Sequence, residues 1–125
     1  MGANGSVLQR QGMRPVGERW VSVGNVGDVE ILQMKPGINN TQLPRDGAKP
    51  NSTYSIFMRN GKDVKTIAKY DENGIAKWEI HNDNHHGIKP HFHLCNEKGY
   101  PISNTGSELT PELASLFERV RNFRK

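Results

Sequence analysis

The chain holds one cysteine in 125 residues. A single thiol closes no internal disulfide, so the fold needs no oxidising compartment. Long apolar runs are missing as well. Nothing approaches the ~18–20 consecutive apolar residues of a membrane-crossing helix, and no membrane partner is expected. The opening "MGANGSVLQRQG" lacks the apolar stretch of a secretory signal. Its Met-Gly start with Ser6 fits the loose myristoylation pattern, as Gly-rich leaders also do. Aromatic residues are sparse at 7%, apolar residues reach only 34%, and mean hydropathy is −0.75, so the core is small. Acidic residues number 13 against 17 Lys and Arg, which leaves a net charge of +4. That balance favours an anionic partner such as nucleic acid, although an acidic protein reads the same way.

What is present fits one compact domain. Residues 1–15 are polar and Gly-rich and are expected to form a mobile leader, with a single α+β domain over 16–125. "RWVSVGNVGDVEIL" is β-prone but broken by Gly24 and Gly27, and predicts one or two short strands. "KPGINNTQLPRDGAKPNS" is dense in Pro, Gly and Asn and predicts a long loop. The next segment carries two Asn-Gly pairs, Asn60-Gly61 and Asn73-Gly74, which supply the positive φ that tight hairpins need. The flanking runs alternate between apolar and polar residues and predict a three-stranded antiparallel meander. "KPHFHLCN" reads as a further strand, with His91, His93 and Cys95 on one face. The chain closes with "TPELASLFERVRNFRK". Thr110 is a good N-cap, Pro111 a good first helical residue, and Leu113, Leu116, Phe117 and Val120 recur on one helical face. The expected fold is α+β: an antiparallel meander of three to five strands packed against a C-terminal helix.

All five histidines lie in "IHNDNHHGIKPHFHLC". His91 and His93 are two apart on one strand, so their rings leave the same face. His81 ends the preceding strand. His85 and His86 lie on the connection. Glu79 and Asp83 are near enough in sequence to orient a ring or complete a site. Three readings stay open. In one, a histidine pair supplies general base and general acid near neutrality, as RNA cleavage requires, with Lys89, Lys77 or Arg59 steadying the phosphate charge. In this reading there is no cofactor. In the second, His91, His93, His86 and Asp83 hold a metal such as zinc, either in a metallo-hydrolase or in a non-catalytic module. In the third, the cluster is a solvated loop in a plain interaction domain. Cys95 reads as a scaffold residue, and Trp78 and Tyr70 as core. The basic tail reads as a solvated helix face.

The residues Tyr70, Asp71, Asn73, Gly74, Ala76, Ile80, His86, Gly87, Pro90, His91 and His93 form a pattern. It resembles the C-terminal toxin modules of bacterial polymorphic and contact-dependent toxin systems. The resemblance covers residues 54–95. It implies a small basic ribonuclease of the barnase–EndoU–colicin–RelE type, with His86, His91 and His93 as catalytic candidates; the strand pattern itself adds His81 as an assisting group. RNA is the implied substrate and a small acidic immunity protein the implied partner. The implied site of action is the cytoplasm, reached as part of a larger delivered or secreted toxin. Such modules place helices before the sheet, whereas the one firm helix here comes last.

Overall fold

A computed structural model describes residues 14–16, 20–35, 43–58, 63–83, 89–102 and 106–124. The strands are β1 (Arg14–Val16), β2 (Trp20–Val26), β3 (Val29–Met34), β4 (Thr53–Phe57), β5 (Val64–Tyr70), β6 (Ala76–His81), β7 (His91–Leu94) and β8 (Ser107–Glu108). They form a single eight-stranded sheet in chain order. Helix α1 (Pro111–Arg121) follows, and its last turn tightens into a 3-10 segment at Asn122–Arg124. Among the described residues no helix is long and apolar enough to cross a membrane.

The α+β class holds, but the expected small antiparallel sheet is corrected in two respects. The sheet has eight strands rather than three to five, and it is mixed. β3 and β4 run parallel, Val29 opposite Thr53 through Leu32 opposite Ile56, while every other neighbouring pair is antiparallel. A parallel pair needs a crossover rather than a tight turn, and the chain between Met34 and Thr53 is long enough for one. Strand alternation shows which residues face a core. It does not show which way a strand runs beside its neighbour.

The meander β4–β5–β6 forms as the alternation predicts. At its second turn the Asp71 carboxylate accepts from the backbone N–H groups of Asn73 and Ile75. Gly74 has φ +74°, and a Cβ there would lie 2.2 Å from the Ala48 carbonyl oxygen. Glycine is required at that point both by the turn and by the crossover segment pressed on it. The first Asn-Gly pair, Asn60-Gly61, lies outside the described residues.

The two faces of the sheet carry separate apolar layers. One joins Val29, Ile31, Val64, Ile67 and Ile80 to Phe117 and Val120 of the helix. Thr110 caps α1 through its hydroxyl, which accepts from the Leu113 N–H at 3.2 Å, and Pro111 occupies the first turn. Phe123 then lies over Gly24, where a Cβ would come 2.5 Å from its ring. The other face joins Trp20, Leu32, Tyr54, Ile56, Ala68, Tyr70 and Ala76 under the crossover residue Leu43. The Tyr70 hydroxyl donates to the Pro44 carbonyl and ties that segment down. His81, His91 and His93 project from this second face.

Candidate metal centre

β6 and β7 pair antiparallel with Glu79 opposite His93 and His81 opposite His91. Trp78, Ile80 and Phe92 turn to the helix layer. Alternation therefore sends Glu79, His81, His91 and His93 to the opposite face, where they form a two-by-two block. The histidine ring centroids are 5.5 Å apart for His81 and His91, 5.6 Å for His81 and His93, and 4.9 Å for His91 and His93. One nitrogen from each ring lies within 4.8 Å of the other two.

The block is largely shielded from water. His91 is 2% exposed, His93 5% and Glu79 5%, whereas the His81 side chain keeps 27%. Each ring is fixed through one nitrogen. His91 Nδ1 donates to the Asp83 carbonyl at 2.9 Å, and His93 Nδ1 donates to the Ile102 carbonyl at 3.1 Å. A carbonyl oxygen only accepts, so both Nδ1 atoms carry the proton. In the neutral ring the lone pair is then on Nε2. His81 meets the Glu79 carboxylate through Nε2 at 2.8 Å. Burial pushes His93 below the usual histidine range, and the neighbouring His91 and His81 add to it. The Ile102 carbonyl and Glu79 pull the other way.

The other sequence-predicted residues fall elsewhere. The Asp83 carboxylate is 73% exposed and lies 3.5 Å from His91 Nδ1, the protonated side of that ring. It serves the cluster through its backbone carbonyl instead. Lys77 is exposed at a break in the β5–β6 register, where its charge acts on Asp71. Lys89 is exposed and borders a groove with Leu109, Phe117 and Arg121 on the helix side of the sheet. His86, Arg59 and also His85 lie outside the described residues.

Cys95 packs against the second apolar layer, and burial, then the Glu79 carboxylate, push its thiol up to about 12. That suits the scaffold role read from sequence. In the basic tail, Arg121 is not left to solvent. It grips Asp63 through Nε and Nη2 at 3.0 and 2.9 Å, and reaches Glu118 at 2.8 Å. Glu79 carries little weight in the sequence reading, and the Asp83 and Ile102 carbonyls carry none. Glu79 has one readable sign, its place two residues before His81 in an alternating strand. Backbone acceptors leave none.

Comparison of the chain with family models, with curated proteins and with solved structures finds no match in any of the three.

Proposed function

We propose that this chain is a small metalloprotein in which His81, His91 and His93 hold one transition-metal ion, zinc first, with hydrolysis as its chemistry. The observation that carries the reading is the convergence of three imidazole nitrogens on a mostly buried face, two of the rings being anchored through Nδ1 to fixed carbonyls. Ligating histidines are held in this way, the second nitrogen donating to a protein acceptor that sets ring and tautomer. Zinc–nitrogen bonds of about 2.0–2.1 Å put tetrahedral ligands roughly 3.3 Å apart. The three nitrogens lie within 4.8 Å of one another, so a bound ion would draw them closer together.

Burial weighs against the metal-free alternative. Acid–base cleavage of RNA needs one ring protonated and both rings open to a phosphate. His91 and His93 are buried, and the His93 environment favours the neutral ring, which is also the ligating form.

Three nitrogens leave a tetrahedral ion one further position. Structural zinc sites use four protein ligands, whereas catalytic ones keep a water. A zinc-bound water reaches a pKa of about 7 and acts as hydroxide at neutral pH. The partly exposed His81 side is the way in. The basic balance of the chain suits an anionic substrate, and RNA phosphodiesters, implied by the resemblance to toxin modules, are the first to test.

The test is metal analysis of tag-free protein, with RNA and activated-ester hydrolysis measured before and after chelation. One equivalent of zinc per chain, a rise in Tm on zinc addition to apoprotein, and activity lost to chelator and restored by zinc are expected. No bound metal together with a Tm indifferent to zinc overturns the reading. RNA cleavage that persists in chelator supports the metal-free mechanism instead.

A further inference from the structure

The Glu79 carboxylate is the one member of the block that the three-histidine reading leaves without a task. It is 5% exposed. Among the described residues its ion-pair partner is His81. An imidazole that is 27% exposed is a weak counter-charge for a buried carboxylate, and such burial is costly without a firm one. The Arg45 guanidinium is engaged elsewhere, lying over the Tyr100 ring and reaching the Gly99 carbonyl. Glu79 is also not one of the converging donors. Among the described residues that group is the three histidines alone.

We infer that Glu79 is the positioning residue of the metal centre, holding His81 by Nε2–H so that Nδ1 turns to the ion, and offsetting the ion's charge from the buried side. The inference rests on the metal reading above. It makes the ligand set asymmetric: His91 and His93 bind through Nε2 and are backed by neutral carbonyls, whereas His81 binds through Nδ1 and is backed by a carboxylate. A carboxylate behind an imidazole makes it a stronger donor than a carbonyl does. The charge partner thus stands behind the one ligand that borders solvent. Substituting it weakens the site without removing a ligand.

Two measurements test this. In the first, apo wild type, Glu79→Ala and Glu79→Gln are titrated with Co²⁺ against a competing chelator, the visible bands being recorded. Glu79→Ala is expected to lose about 10–100-fold in affinity and to change the bands. Glu79→Gln can still accept from Nε2–H but carries no charge. It is expected to keep the band pattern and lose part of the affinity, and its near-identical shape keeps the test alive if the alanine variant does not fold. In the second, ¹⁵N imidazole shifts of zinc-loaded wild type are expected to show His81 bound through Nδ1. Wild-type affinity in both variants, or His81 bound through Nε2, overturns the role of Glu79 and leaves the metal reading standing. Failure of the wild type to bind either ion removes the metal reading itself.

Discussion

His81 and His91 stand directly opposite one another across β6 and β7, their ring centroids 5.5 Å apart and their planes at 77°. Strand register sets this pairing. A slip of one residue would turn His91 and His93 into the helix layer, so whatever holds the β6–β7 register also holds the cluster.

His91→Ala should therefore damage two properties at once. It removes one of three nitrogen donors, and zinc affinity is expected to fall by more than about 100-fold. It also empties a fully buried site, at a cost of about 2 kcal/mol in the apoprotein. Calorimetric zinc titration and urea melts of the apo form measure the two effects separately. Unchanged zinc affinity would remove His91 from the centre.

Cys95 should be nearly inert while the protein is folded. Its thiol is pushed up to about 12, chiefly by burial, so at pH 8 almost no thiolate is present to react. Iodoacetamide labelling is expected to be slow in buffer and fast in urea, with one site modified. Rapid labelling of the folded chain would contradict the packing described.

The Asp63–Arg121 fork should make stability sensitive to acid. The Arg121 guanidinium is the leading cause that holds the Asp63 carboxyl at about 2, below its ordinary 3.8. A depressed folded-state value means that the contribution is complete above the unfolded value and is lost as pH falls through the folded one. Both side chains are about one-third exposed, and the screened contribution is about 1 kcal/mol. Arg121→Met is expected to lose that amount at pH 6 and to flatten the decline between pH 4 and pH 2. Chemical denaturation across that range checks it.

Gly74→Ala should destabilise the chain by more than about 1 kcal/mol, since it combines a positive φ with a collision against backbone. The Ala48 carbonyl oxygen at 2.2 Å from the added Cβ cannot rotate away as a side chain would. A Tm equal to wild type would mean that the crossover segment is not seated on this turn.

Much of the scaffold is legible in the residues. The capped helix from Thr110 and the meander around Asn73-Gly74 follow from local chemistry that neighbours do not override. Alternation failed where the register shifts. Thr66 pairs with Ile56 and Val64 with Phe57, so Lys65 is the extra residue and Val64 joins the helix layer, away from Thr66 and Ala68. Likewise Lys77 is skipped between Ala76 and Trp78, and Ala76 joins Tyr70 on the opposite layer from Trp78. No residue type announces a bulge of this kind. At the centre, alternation placed His91 with His93 and Glu79 with His81. Only the register between the two strands shows that the pairs meet, and only backbone geometry supplies the carbonyls that fix the tautomers.

The parallel seam between β3 and β4 bears on how the chain assembles. The β2–β3 hairpin and the β4–β7 meander each form from contacts close in sequence. The seam between them joins strands separated by the long connection from Met34 to Thr53, and closing a connection of that length carries an entropic cost that near-neighbour hairpins escape. Joining the two halves is then expected to be slower than forming either one. The histidine block lies wholly within one half, on β6 and β7, so the proposed centre can take shape before the sheet is complete.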